Sequence, residues 1–201
     1  MSKIYTVYSE THEELFNNFF MESFNRVIGN NDLLHVKRSE QYGNGSWLNK
    51  GWNRSMLEKV DLVIMAINEN IDKDGWFIHS DVDVIWVKDC IDLLHKELGD
   101  YDIAAQSDLG TLCFGFFAMR ANKNTLKWLE NIRANVINSE DGRISTDQHT
   151  ANETKDMVKW KLLPNTFYNR SMGPIPENLQ VVHANYIIGV KNKIEFLKNI
   201  Q

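Results

Sequence analysis

Strand-like and helix-like segments take turns along the first half of this chain, and that alternation constrains its fold more than any other feature. KIYTVYS (Lys3 to Ser9) is rich in β-branched and aromatic residues and reads as a strand. Thr11 opens T-H-E-E, a capping box closed by Glu14, ahead of the apolar series Leu15, Phe19 and Phe20. A short strand, DLLHVKR, and a Gly/Asn-rich loop, QYGNGSWLNKG, precede a helix predicted from about Asn53 to Asn70. Met56, Val60, Val63, Ile64 and Ile67 mark one face of that helix. WFIHS (Trp76 to Ser80) is the next strand, and Asp89 is the expected N-cap of helix CIDLLHKEL, ended by Gly99. DIAAQ and TLCFGFFAMRA read as two further strands. NTLKWLENIRANVI reads as a helix with a core-facing stripe of Leu126, Leu129, Ile132, Arg133 and Val136. The C-terminal third is less regular, with a short helix near TDQHTANE, then KWKLL, the strand LQVVHA and a final helix. Strands alternating with helices predict an α/β domain with a mainly parallel central sheet flanked by helices.

Composition narrows the function. At 201 residues the chain suits one domain with a real core, and its net charge of −5 has lysines and acids interspersed. Without a basic stripe, nucleic acid is not an expected partner. Two cysteines, Cys90 and Cys113, form no ligand motif or disulfide framework, which points to a reducing, cytoplasmic location. No apolar run reaches membrane-spanning length, so a soluble chain without a membrane span is expected.

Two acids one residue apart, Asp81 and Asp83, interrupt the apolar stretch GWFIHSDVDVIWVKD. A bare D-x-D is a weak signal: the chain also carries Asp72/Asp74 and Asp100/Asp102, both in polar, Gly-flanked segments that read as solvated turns. Asp81 and Asp83 differ in context, because they follow the strand WFIH and precede VIWV. The carboxyl end of a strand in a parallel α/β sheet is where ligands bind. Two carboxylates there suit a hard divalent cation, Mn²⁺ or Mg²⁺, and the cation in turn a diphosphate. His183 ends the apolar strand LQVV and could be a third ligand or a hydrogen-bonded structural residue. Asp147 and Gln148 open a helix after Ser145 and Thr146, where an acid also favours the helix dipole. Trp47 and Trp52 flank the Gly-rich loop and could stack on sugars or simply pack.

The segment IHSDVDVIW resembles the D-x-D segment of nucleotide-diphospho-sugar transferases with the GT-A fold, in particular the group of α-xylosyl-, arabinosyl- and galactosyltransferases. The resemblance continues in order through MLEKVDLVIMAI, IAAQSDLGTLCFGFFAMRAN, STDQHTANE and VVHANYIIGVKNKIEFL. It implies one GT-A domain over residues 1–201, with a nucleotide-sugar-binding half to about residue 110 and a sugar and acceptor half from about residue 111. It assigns the metal to Asp81, Asp83 and His183. The donor nucleotide falls to Tyr8 and Ser9 at the end of the first strand, to Lys59, to Ser80, Asp81 and Val82, and to Gly189 and Lys193. Asp147, Gln148 and Asp108 face the reacting sugar. The implied activity moves a hexosyl or pentosyl group from a nucleoside diphosphate, most simply UDP, to a glycan or other hydroxyl acceptor with retention. One position departs from the pattern: Cys113 stands in C-F-G-F where the family commonly has the Asn of N-x-G-F, so the amide that would meet the donor sugar is missing. Two other readings stay open, a metal-dependent nucleotidyltransferase or phosphohydrolase and a transferase-like binding protein without turnover.

Overall fold

The computed structural model describes residues 3–42, 50–73, 75–138 and 146–200. A six-stranded sheet forms its centre, built from β1 (Ile4–Tyr8), β2 (Leu34–Arg38), β3 (Trp76–Ser80), β5 (Ile103–Asp108), β6 (Thr111–Arg120) and β7 (Trp160–Leu162) in the order β2-β1-β3-β6-β5-β7. Five strands share one direction, and β6 runs against both of its neighbours. The sheet is therefore mainly parallel, with one reversed strand created by the tight β5–β6 connection. Alternate residues feed two cores, as in a sheet covered on both faces. Ile4, Ile78 and Ala104 enter one, while Tyr5, Phe77 and Ile103 enter the other.

The second core is closed by α3 (Lys50–Asn70) and α5 (Lys123–Asn138). In α3, Val60, Leu62, Val63, Ala66 and Ile67 are buried, while Ile64 and Met56 are half-buried at the flank of the expected face. In α5, Leu129, Ile132 and Val136 are buried as the periodicity requires, with Trp128 beside them. Arg133 is not core-facing: its Nε donates to Asp61 Oδ1 of α3 at 2.6 Å at the surface.

The first core lies under the other helices. After β1 the chain passes through a 3-10 turn (Glu10–His12), α1 (Glu13–Leu15), a π-helical segment (Phe16–Met21) and α2 (Glu22–Val27). The expected capping box does not form, because the helical path begins at Glu10, two residues before a Thr11 cap would start it, and the Thr11 hydroxyl turns to Gln41 and His12. The apolar series is nevertheless buried: Leu15, Phe19 and Phe20, joined by Phe16 and Phe24. Asp89 is not the N-cap of α4 (Ile91–Leu98): that position is Cys90, and Asp89, two residues before the helix, accepts from Ile91 N–H through Oδ1 at 3.2 Å, while Gly99 ends the helix with φ 46°. A second sheet unites β4 (Val84–Trp86), β9 (Val181–His183) and β8 (Phe167–Asn169) in the order β4-β9-β8. The β8 segment carries no pattern of its own in the sequence. The chain then ends in α7 (Val190–Lys198), with Ile194 and Leu197 buried. Among the described residues no helix is long and apolar enough to cross a membrane. Trp47 and Asp74 lie outside the described residues, as does Ser145, while Trp52 is half-buried in the first turn of α3.

Candidate active site

β3 ends in a turn whose middle residue, Val82, is buried in the first core, so that Asp81 and Asp83 flank an apolar anchor. The Asp81 backbone N–H donates to Gly115 C=O at 2.7 Å, fixing the turn to β6. Ser80 is fully buried, and its hydroxyl donates to the Asp81 carbonyl at 3.1 Å. Val84, immediately after the turn, pairs with His183 across the antiparallel β4–β9 ladder, and Ala184 N–H donates to Asp83 C=O at 3.0 Å. Backbone pairing thus brings His183 to the acids from a hundred positions away. One ligand atom each from Asp81, Asp83 and His183 fall within 4.8 Å of one another.

The floor beneath these three groups is Gly115. A β-carbon there would sit 2.4 Å from His183 Cε1 and 2.7 Å from Asp81 Oδ2, so only glycine leaves the space open. An irregular pairing delivers it. Between the pairs Ala105–Phe117 and Ser107–Leu112, β5 advances by two residues and β6 by five. A bulge of this kind re-aims the side chains of the longer strand, and it presents Cys113 and Gly115 to His183.

Each ligand has an outer partner. His183 Nδ1 donates to Gln106 Oε1 at 3.0 Å, and Gln106 is oriented in turn by donating to Tyr168 C=O at 3.2 Å. The other nitrogen, Nε2, is left toward Asp83 Oδ1 at 3.3 Å. A hydrogen bond from the far ring nitrogen fixes the ring and the nitrogen available for a metal. Burial opposes charge on His183, but Asp83 and Cys113 outweigh it and push the imidazole up to about 10. His79, fully buried one strand period before Asp81, lies 3.1 Å from Asp81 Oδ1 through Nε2, and burial lowers its pKa. Asp83 is held well below the usual carboxylate range: burial works against its charge, and Lys193 and His183 overcome it. Lys193 Nζ donates to Asp83 Oδ2 at 2.6 Å from the first turn of α7, just beyond Gly189, whose φ of 87° favours glycine.

A second group of charges adjoins the first. Lys59, on α3 and almost fully buried, lies 2.6 Å from Asp147 Oδ2 and 3.7 Å from Asp81 Oδ2. Burial disfavours its charge, but Asp147 and Asp81 raise its pKa above the ordinary lysine value. Asp147 opens α6 (Asp147–Glu153), capped by Thr146, whose hydroxyl accepts from His149 N–H. The neighbouring Gln148 is held at both ends. Its Oε1 accepts from Phe114 N–H at 3.0 Å, and its Nε2 donates to Asp108 Oδ2 at 2.6 Å.

Of the residues named from sequence, Asp81, Asp83, His183, Lys59, Lys193, Asp147, Gln148 and Asp108 are linked in two connected networks. Tyr8 and Ser9 lie at the end of β1, alongside β3. The Tyr8 ring stacks on Phe16 at 4.2 Å, and Ser9 Oγ is 3.4 Å from Thr11 Oγ1. Val82 and Ser80 position the acid turn from beneath, and both are buried. The sequence reading missed His79, Gln106, Gly115, Asn185 and Tyr186. His79 carried a signal, since it shares a strand face with Asp81, and Gly115 stood within C-F-G-F without a role given to it. His12 was missed too: burial and the Lys193 ammonium lower its pKa while Asp83 and Asp81 oppose them, which sets it within the field of the cluster.

A mainly parallel sheet covered on both faces, with an acid pair at the end of a central strand, defines a GT-A domain. The chain belongs to the nucleotide-diphospho-sugar transferase family, whose profile matches residues 23–197. A UDP-galactose:fucoside alpha-3-galactosyltransferase of Dictyostelium discoideum is 21% identical over 199 residues, covering 81% of this chain and 29% of that protein. The chain therefore spans less than a third of that relative's length. Among solved structures, a glycosyltransferase involved in glycosylation of the major capsid of PBCV-1 superposes with a TM-score of 0.65 at 14% identity, over 98% of this chain and 99% of that one. The galactosyltransferase LgtC, in complex with donor and acceptor sugar analogs, gives 0.56 at 11% identity over 98% and 95%. Mouse xyloside xylosyltransferase 1 gives 0.56 at 10% identity over 92% and 98%. These structural likenesses are of fold.

Proposed function

We propose that this domain transfers a hexosyl or pentosyl group from a nucleoside diphosphate, UDP in the first instance, to a hydroxyl acceptor with retention of configuration. The observation that carries the reading is the convergence of Asp81, Asp83 and His183 over Gly115 at the end of β3. Two carboxylates and one imidazole, above a floor that a single β-carbon would fill, fit Mn²⁺ or Mg²⁺. A divalent ion held by these residues would neutralise charge on the departing diphosphate. Lys193 and Lys59 supply fixed positive charge to the same region, and in this reading Tyr8, Ser9 and Gly189 meet the nucleoside and diphosphate. Asp108 and Gln148 orient the sugar.

Asp147 is a poor nucleophile in this setting, because Lys59 lies 2.6 Å from Oδ2 and Gln148 N–H donates to Oδ1 at 2.8 Å. That favours same-face transfer. The bond from the anomeric carbon to the phosphate oxygen breaks, the acceptor oxygen bonds to the same face of that carbon, and its proton passes to the leaving phosphate. The same ion pair argues against the phosphohydrolase reading, since it occupies Asp147, the acid beside the D-x-D turn that a second metal ion would call on. Both cysteines are free and buried, which suits a reducing compartment such as the cytoplasm.

The test is hydrolysis and transfer across a panel of UDP-sugars with Mn²⁺, with NMR of the product anomer. UDP-sugar turnover that depends on Mn²⁺ and retains configuration supports the proposal. An inverted product removes same-face transfer, and a chain that neither binds UDP with Mn²⁺ nor turns over any donor removes the reading altogether.

A further inference from the structure

The three most exposed large apolar side chains among the described residues are Ile188, Leu109 and Tyr186, at 78, 74 and 64%. They come from two distant parts of the chain, and two of them adjoin one buried acid. Leu109 directly follows Asp108, the Tyr186 hydroxyl donates to Asp108 Oδ2 at 3.3 Å, and Ile188 lies two residues past Tyr186. Leu109 and Tyr186 are also the two described non-glycine residues with left-handed backbone, φ 51° and 63°. That conformation is costly for side chains of their size, and strain of this sort gathers at functional sites. Apolar side chains left in water add nothing to stability, so burial explains neither their identity nor their strained setting. A further observation is independent of these. Asp108 is only 3% exposed, and its Oδ1 has no hydrogen-bond partner among the described residues, although Oδ2 takes both Gln148 and Tyr186. A buried carboxylate oxygen of that kind calls for a donor from a ligand.

We propose that Leu109, Tyr186 and Ile188 form the acceptor lip of the site, and that the acceptor is a sugar carried on an apolar group, as in an alkyl or aryl glycoside. This rests on the transferase reading above. Tyr186 offers a ring to the C–H face of a sugar, whereas Leu109 and Ile188 offer no hydrogen bond and fit an apolar substituent. The Asp108 carboxylate beneath them disfavours a phosphorylated or otherwise anionic acceptor.

Saturation-transfer NMR, with UDP and Mn²⁺ present, compares octyl and nitrophenyl glycosides of galactose, glucose and xylose with the matching methyl glycosides. The apolar glycosides should bind about tenfold more tightly or better, given the surface they would bury. The double variant Leu109→Asn/Ile188→Ser should erase that preference; Asn tolerates the left-handed backbone at position 109. UDP affinity, measured by calorimetry on the same samples, reports separately on the donor site. Equal affinity for octyl and methyl glycosides, no glycoside binding, or a preference that survives the double variant overturns the proposal. Failure of the unaltered chain to bind UDP defeats the transferase reading, and this inference falls with it.

Discussion

Lys193 Nζ lies 2.6 Å from Asp83 Oδ2, while the other oxygen of that carboxylate faces His183 Nε2 at 3.3 Å. Lys193, together with His183, therefore supplies the positive charge that Asp83 requires. On the proposed reading a metal ion arriving alone would have to compete with the lysine, whereas one arriving with a diphosphate would give the ammonium a new partner. Lys193→Ala should raise the affinity for Mn²⁺ alone by about tenfold, the order expected for removing one nearby charge in a partly screened site. The same variant should lose about tenfold or more in affinity for UDP with Mn²⁺ and leave uridine unaffected. Paramagnetic resonance of free Mn²⁺ and calorimetry with UDP read the two effects. Unchanged affinity for the metal alone would show that the ion pair does not oppose it.

Gly115→Ala puts a methyl group into the floor of the cluster, against His183 and the Asp81 carboxylate. The backbone beneath is pinned by the Asp81–Gly115 hydrogen bond, so the ring and the carboxylate must move instead. Overpacking of this kind costs about 1–3 kcal/mol of stability. Urea denaturation should show a fold that survives with that loss, and calorimetry should show UDP binding no longer enhanced by Mn²⁺. Normal Mn²⁺ enhancement would place the metal elsewhere.

Gln148 cannot flip its amide freely, because Phe114 N–H fixes the oxygen end. In Asp108→Asn the new side chain must turn its oxygen toward Gln148 Nε2, leaving an N–H₂ donor where Oδ1 had no partner. A polarity reversal at one buried atom should lower turnover by about a hundredfold and leave UDP affinity within about twofold. Steady-state kinetics and a UDP titration separate the two. Equal losses in both would mean that Asp108 supports the fold rather than the sugar.

Lys59→Met should be the most destabilising of these changes. It strands Asp147, 2% exposed, without its counter-charge. Removing one partner of a buried pair costs about 3–5 kcal/mol. The double variant Lys59→Met/Asp147→Asn should recover much of that in urea denaturation, since no unpaired charge remains at position 147. Equal stability of the single and double variants would deny the coupling.

Much of the fold was legible because periodicity and strand context report burial. Alternation marked β1, β3, α3 and α5, and apolar runs on both sides singled out Asp81 and Asp83 from two similar acid pairs. The parts that escaped depend on partners rather than on local pattern. The capping box at Thr11 satisfied every local rule, yet the helical path begins at Glu10 and the Thr11 hydroxyl finds Gln41, thirty positions away. β8 is three residues long and exists because β9 pairs with it. Cys113 read as a lost amide. The structure sets Asn185 beside it, with Nδ2 at 3.9 Å from the sulfur, so an amide is present from a different strand end. No spacing in the sequence connects those two positions.

The frame that unites Asp83 with His183 is made of peptide groups: the β4–β9 ladder and the bond from Ala184 N–H to Asp83 C=O. Peptide groups are the same whatever side chains they carry. A lineage can therefore exchange the residues around the cluster without having to reinvent the scaffold that aims them. Selectivity is then free to drift while the underlying chemistry stays anchored, and two such proteins can come to serve different sugars long before their backbones diverge.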